Sequence, residues 1–202
     1  MKTYTIIAGV NGVGKSSLTG VLARDTDSLG SIIDTDSITR QKNGNKIDGA
    51  REAVRRINMC LENGLNFTQE TTLSGYRTLR TIKTARELNY RIRLYYVAVE
   101  SADESVRRIA NRVQKGGHDI PTEDVIRRFS HRFDDLLKIL PYCDSAQFYD
   151  NENGFVCVAE YLNGEIKRIG DYAPEWLSEL QGRFAEQNFF ESCEHSEDEE
   201  EL

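Results

Sequence analysis

Residues 9 to 16 read Gly9-Val10-Asn11-Gly12-Val13-Gly14-Lys15-Ser16, and nothing else in the chain restricts its fold so tightly. A G-x-x-x-x-G-K-S run closes around phosphate where a strand delivers it and a helix starts at its end. The backbone N–H groups then turn inward and the helix N-terminus faces the anion. Both neighbours are present: Tyr4-Thr5-Ile6-Ile7-Ala8 is a short β-rich run, and Ser17-Leu18-Thr19-Gly20-Val21-Leu22-Ala23-Arg24 can be helical. The pattern assigns Gly9, Asn11, Gly12, Val13, Gly14, Lys15, Ser16 and Ser17 to nucleotide binding. Lys15 would reach the β and γ phosphates and the Ser16 hydroxyl would ligate Mg²⁺. The expected ligand is ATP with Mg²⁺.

Strand and helix signals alternate along the rest of the chain. Ser31-Ile32-Ile33-Asp34 reads as a second strand ending in Asp34-Thr35-Asp36. Ile47, Ala50, Val54, Ile57 and Leu61 recur at helical spacing until Asn63-Gly64 stops them. Residues 65–72 suggest a third strand, 76–88 a helix, and 91–99 the clearest buried strand. Ser101 and Glu104 form a capping box for a helix with Val106, Ile109, Ala110 and Val113 inward. After Gly116-Gly117 a second helix carries Val125, Phe129, Phe133, Leu136 and Leu140 on one face. Residues 146–149 make a fifth strand, Asn163-Gly164 a two-residue hairpin turn within 155–169, and Trp176, Leu177, Leu180 and Phe184 a closing helix. This order predicts an α/β protein with a three-layer P-loop kinase fold. A mostly parallel sheet of about five strands would have helices on both faces, followed by a C-terminal β-hairpin and helix. Ligands then gather at the C-terminal ends of the strands. Residues 1–190 suit one domain, with a helical lid over about 103–140.

The net charge of −7 is concentrated at one end. Residues 191–202 hold seven acids and no Lys or Arg, which leaves the body with as many acids as its 26 bases. The segment is expected to be a disordered acidic tail. The four cysteines form no C-x-x-C pair, so neither a disulfide framework nor a zinc site is expected. The apolar start breaks at Asn11, too early for a signal peptide, and no segment approaches a membrane span. A cytoplasmic protein is expected, with neither membrane nor nucleic acid as a partner.

Two short traces are decoys. Asn45-Lys46-Ile47-Asp48 matches a guanine-reading N-K-x-D but follows a polar run, where GTPases have a late buried strand. Leu73-Ser74-Gly75 echoes transporter ATPases but lacks the apolar strand ending in Asp-Glu that should follow. The residues left for chemistry are acids at strand ends and arginines near the Gly-Gly loop. Asp36, with Asp34 beside it, is placed to take a proton from a hydroxyl acceptor. Glu70 in a strand would be costly unless it opens on a wet site, so Glu70, Thr71, Thr72, Asp36 and Arg40 are the substrate-binding candidates. Arg112 and Arg128, on two helices joined by a glycine hinge, can close on a transferring phosphate. Arg127 and Arg132 are alternatives to Arg128, and His118 reads as a loop hydrogen-bonding residue. Lys15, Asp36, Arg112 and Arg128 are thus the catalytic candidates.

Four stretches in one order resemble the zeta toxin family of P-loop kinases: Ile32 to Ser37, Phe67 to Gly75, Arg112 with Gly116 to Pro121, and Arg128. The similarity spans about residues 3 to 152 and is greatest to short members. It implies that Asp36 is the general base, that Glu70 contacts the sugar substrate, and that Arg112 and Arg128 belong to a mobile cover. It also implies ATP- and Mg²⁺-dependent transfer to an alcohol, in long members the 3′-hydroxyl of UDP-N-acetylglucosamine. This chain lacks much of the segment that builds the nucleotide-sugar site in those members, and its arginine spacing differs. The expected function is a small-molecule kinase acting on a hydroxyl of a sugar, nucleotide sugar or similar metabolite. The alternative is a nucleotide-dependent regulatory ATPase, as in a toxin–antitoxin pair, whose protein antitoxin or inhibitor the sequence does not reveal.

Overall fold

The computed structural model describes the backbone of residues 1–25 and 29–200 and the side chains of 1–24 and 29–189. Its elements are β1 (Thr3–Ala8), α1 (Lys15–Asp25), β2 (Ser31–Asp34), α2 (Thr35–Gln41), α3 (Lys46–Glu62), β3 (Phe67–Thr71), α4 (Arg77–Glu87) and β4 (Arg91–Ala98). There follow α5 (Ala102–Gln114), α6 (Thr122–Ser130), α7 (Arg132–Leu137), a 3₁₀ turn at Leu140–Tyr142, β5 (Ser145–Asp150), β6 (Val156–Leu162), β7 (Glu165–Arg168) and α8 (Glu175–Glu200).

All seven strands join one sheet, ordered β2-β3-β1-β4-β5-β6-β7. The first five run parallel, and β6 and β7 continue antiparallel. The two-residue period of β1 and β4 divides their side chains between two cores. Tyr4, Ile6, Ala8, Ile92, Leu94 and Tyr96 enter a large core that also takes in Ile57, Ile82, Phe133 and Trp176. Ile7, Tyr95 and Val97 enter a smaller one with Val13 and Leu18. A third small cluster, Ile109, Ile120 and Val125, joins α5 to α6 and gives the cover its own packing. The expected hairpin adds two strands to the sheet, turning at Asn163 (φ 54°) and Gly164 (φ 81°), a pair of positive φ values that suits its twist.

Four local expectations need correction. The segment after β2 is the helix α2, so Asp36 lies in a first helical turn and not at a strand end. The buried face of α3 is Gly49, Ala53, Ile57, Cys60 and Leu61, while Ile47 is 64% exposed and Ala50 and Val54 only half-buried. Tertiary contact explains the rotation: a Cβ on Gly49 would stand 2.0 Å from Thr39 Oγ1 and 2.8 Å from Thr39 Cα, so only glycine lets α3 lie this close to α2. On α5 the buried residues are Ser105 and Ile109, whereas Ala110 and Val113 face out. The long helix expected after Pro121 breaks at His131 into α6 and α7. The backbone of α8 runs on to Glu200. Glutamate is a good helix former and no Gly or Pro interrupts the run after Gly182. The side chains there lie outside the described residues.

Two glycine substitutions test this packing with opposite signs. Gly49→Ala should lower stability by about 1–3 kcal/mol through overpacking against Thr39. Gly20→Ala, within α1 and with no neighbouring atom to meet, should raise it by roughly 0.5–1 kcal/mol. Thermal or urea unfolding of both variants reads the difference.

Candidate nucleotide and phosphoryl-transfer site

The strand-to-helix turn after β1 takes the shape its glycines permit. Gly9, Gly12 and Gly14 have φ of 142°, 86° and 100°, values that disfavour any side chain. Space is as restrictive as torsion. A Cβ on Gly9 would stand 2.2 Å from the Val97 carbonyl oxygen, and one on Gly12 2.5 Å from that of Ser105. Asn151, just after β5, donates from Nδ2 to the Val13 carbonyl (2.8 Å) and braces the loop from outside. Gly9 therefore supports the loop from below, and Val13 contributes backbone only, because its side chain is fully buried.

Lys15 folds back over the loop, donating from Nζ to the carbonyls of Gly9 (2.8 Å) and Val10 (2.9 Å). Burial pushes its pKa down to about 8 against the opposing pull of Glu70, Asp36 and Asp34. Ser16 donates to one oxygen of Glu70 (2.7 Å) and Thr19, one helical turn on, donates to the other (2.6 Å). Glu70 is only 8% exposed, and burial raises its pKa while the two hydroxyls resist the rise. Register explains the meeting: β3 pairs with β1, placing Glu70 beside Ile7 and close under the first turn of α1. Both of its oxygens are thus taken up on the phosphate side.

A cleft of about 810 Å³ opens above these groups and gathers most of the expected residues. Asn11, Lys15, Ser16 and Ser17 form its floor, with Glu70 beneath. Asp34 and Asp36 line another wall in distinct roles. Asp34 caps α2, accepting from the Asp36 backbone N–H (2.9 Å), while Asp36 is exposed and its side chain has no partner among the described residues. Arg40, one turn on, is likewise free and also lines a smaller pocket of about 240 Å³ between α2 and the cover. Thr71 and Thr72 reach the cleft but are engaged locally. The Thr71 hydroxyl meets Thr78 (3.2 Å) and accepts from Leu73 N–H (3.0 Å), and Thr72 meets Ser74 (3.1 Å). Leu73 holds φ 63° while buried, a costly conformation for a bulky residue of the kind found at ligand clamps.

The arginines sort themselves by contact. Arg128 donates to Asn11 Oδ1 (2.6 Å), so α6 already touches the phosphate loop. Arg127 pairs with Asp124 on the surface, and Arg132 is turned away into a half-buried ion pair with Glu179. Arg112 lines the cleft and donates to the His118 carbonyl (2.6 Å). Gly117 makes room for it, since a Cβ there would stand 2.4 Å from Arg112 Cγ. His118 thus joins the cover through its backbone carbonyl. Sequence reasoning missed Thr19, Asn151, Tyr76 and Arg108. Tyr76 is 74% exposed at the rim of the cleft, and Arg108 lines it while donating to the carbonyls of Asn151 (2.7 Å) and Glu152 (3.1 Å). Only the i, i+4 spacing of Arg108 and Arg112 hinted at any of these four.

The family model described as Zeta toxin matches residues 45–153, more than half of the chain. The chain belongs to the zeta toxin family. It is thereby a nucleotide-dependent P-loop kinase or toxin. An uncharacterized protein of Haemophilus influenzae is 32% identical over 124 residues, spanning 59% of this chain and 86% of that one. A chain from the PezAT chromosomal toxin–antitoxin system of Streptococcus pneumoniae superposes with TM-score 0.61 at 16% identity, over 93% of this chain and 87% of that one. A chain from the AvrRxo1-ORF1:AvrRxo1-ORF2 complex with ATP gives TM-score 0.61 at 18% identity, over 92% and 76%. These structural likenesses speak for the fold. Among the described residues no helix of this family member is long and apolar enough to cross a membrane.

The lowered pKa of Lys15 sets a pH signature. Below about 8 the ammonium is charged before nucleotide arrives; above it, binding must take up a proton. Nucleotide affinity should fall by up to tenfold per pH unit above about 8, where phosphate is already fully ionised (second pKa about 6). Titration calorimetry between pH 7 and 9.5 checks this, and a flat profile would show that Lys15 keeps its ordinary pKa before nucleotide binds.

Proposed function

We propose that the chain transfers the γ-phosphate of ATP to a hydroxyl of a sugar, nucleotide sugar or similar metabolite, with UDP-N-acetylglucosamine the first acceptor to test. The observation that carries the proposal is the free carboxylate of Asp36 in the cleft that also holds Lys15, Arg112 and Arg128. A base for the acceptor and cations for the phosphoryl group are the parts this reaction needs.

Lys15 and the backbone N–H groups from Asn11 to Ser17 would hold the β and γ phosphates. Lys15 would exchange its two carbonyl partners for phosphate oxygens. Ser16 and Glu70 offer adjacent oxygen donors of the kind that Mg²⁺ takes, and would hold that ion together with the nucleotide. When bound, it neutralises charge on the β and γ oxygens. Asp36 orients the acceptor hydroxyl and receives its proton as the acceptor oxygen bonds to the γ-phosphorus. The bond from that phosphorus to the β–γ bridging oxygen breaks and ADP leaves. Arg112 and Arg128 face the charge on the transferring group, and the cover they sit on keeps water out. Arg40 and Thr72 would bind the acceptor. Glu70, engaged on the phosphate side, serves nucleotide and metal before any sugar.

A toxin role is the second reading, favoured by likeness to a chain from a named toxin–antitoxin system. A protein antitoxin seated over the cleft would then be its natural inhibitor. Growth arrest on expression of the wild type but not of Lys15→Ala would support it.

Asp36→Asn should lower turnover by about 10²-fold or more with nucleotide affinity nearly unchanged. A phosphate-transfer assay across UDP-sugars, free sugars and nucleosides reads this; retained turnover would move the base elsewhere. Glu70→Gln should raise KM for Mg-ATP more than KM for the acceptor. The opposite split would return Glu70 to the sugar site that family resemblance assigns it.

A further inference from the structure

We infer that α8 is a working part of the cover: Glu179, through Arg132, pins the junction of α6 and α7 and so positions Arg128 against the phosphate loop. The inference rests on the kinase reading for its effect on turnover, but the pin itself is a matter of geometry.

Arg132 opens α7, directly after the break at His131, and lies one helical turn beyond Arg128. Its side chain is 10% exposed, and its guanidinium lies 4.0 Å from the ring centre of Phe129 and 4.3 Å from that of Phe133. It donates to the Phe129 carbonyl (2.9 Å), within the last turn of α6, and to Glu179 Oε2 (2.5 Å) on α8. Glu179 also receives Arg183 at its other oxygen (3.0 Å), and Arg183 reaches Asp134 on α7 (2.8 Å). One carboxylate thus ties the end of α6 and the start of α7 to a third helix.

That third helix is itself anchored at this point. Trp176, Leu177 and Leu180 on α8 are buried in the large core. The Trp176 indole N–H donates to Asp150 Oδ1 (2.8 Å), and Glu100 accepts from the backbone N–H groups of Glu175 (2.9 Å) and Trp176 (3.2 Å). Glu179 is therefore a fixed post, and the planar guanidinium between two phenyl rings transmits its position where a lysine would not. From Arg132 the path runs through the Phe129 carbonyl in the last turn of α6 to the adjacent Arg128 and its contact with Asn11. Asp150 and Glu100 secure the same helix beside Asn151, the outside brace of the loop. Residues 175–189 lie beyond the segment that the family model matches. In this account Arg132 and Glu179 are positioning residues that never touch substrate.

The test uses Arg132→Met, which fills the slot between the rings and leaves no unpaired buried cation, and Glu179→Gln, which keeps an acceptor while removing its charge. Turnover should fall about tenfold with KM for ATP within about twofold and little change in melting temperature. In a double-mutant cycle, Arg132→Met should add almost nothing to the loss caused by Arg128→Ala, because both act through one contact. Hydrogen exchange of amides 122–130 should quicken in Arg132→Met while that of β1, β3 and β4 stays unchanged. Exchange reads the pin whether or not an acceptor is found, whereas absence of transfer by the wild type would count against the kinase reading alone. Additive losses, or unchanged exchange over α6, would overturn the inference.

Discussion

A single buried carboxylate organises the catalytic end of this protein. Glu70 reaches the first turn of α1 from the neighbouring strand and holds the hydroxyls of Ser16 and Thr19. Hydrogen bonds to a charged group contribute roughly 1.5–3 kcal/mol each, and a carboxylate this buried would be expensive without them. The pairing sets where α1 begins relative to β3, and with it where the glycine loop sits. The adjacent strand end carries Asp34, whose cap on α2 leaves Asp36 free above the cleft. The geometry from the glycine loop to Asp36 thus follows from the pairing of β1, β3 and β2.

The cover depends on the opposite flank of the sheet. From β4 and β5 come Glu100 and Asp150, which anchor α8, and Asn151, which braces the loop. From α5 and α6 come Arg112 and Arg128, held together by the small Ile109–Ile120–Val125 cluster. The cluster gives the cover its own packing on either side of the Gly116-Gly117 turn that joins its two helices. The family match begins after the phosphate loop and ends before α8. The loop's role therefore stands on its own geometry, and α8's on its contacts.

What could be read from sequence was whatever depends on short spacing. The strand–loop–helix unit, the parallel order of the sheet, the Ser101 cap and the Asn163-Gly164 turn all follow from neighbours within a few residues. The Ser101 side of the capping box forms, but Glu104 turns to Arg107 and Arg108. What sequence misjudged depends on tertiary contact. The phase of α3 is decided by Gly49 against Thr39, and α2 is too short for periodicity to reveal. Apolar spacing runs straight across the break at His131. Among the cleft residues, Glu70 meets partners 54 and 51 positions away, and the contacts that distinguish Arg128 from Arg132 run to Asn11 and Glu179, each far along the chain.

The central claim is that one cleft binds nucleotide on the glycine loop and closes α6 over it. Hydrogen-exchange mass spectrometry with and without a non-hydrolysable ATP analogue and Mg²⁺ tests this most directly. Protection should appear together at residues 9–17 and at 108–128, with β6 and β7 unaffected. Protection at the loop alone would contradict the role of the cover, and protection at neither would contradict the site.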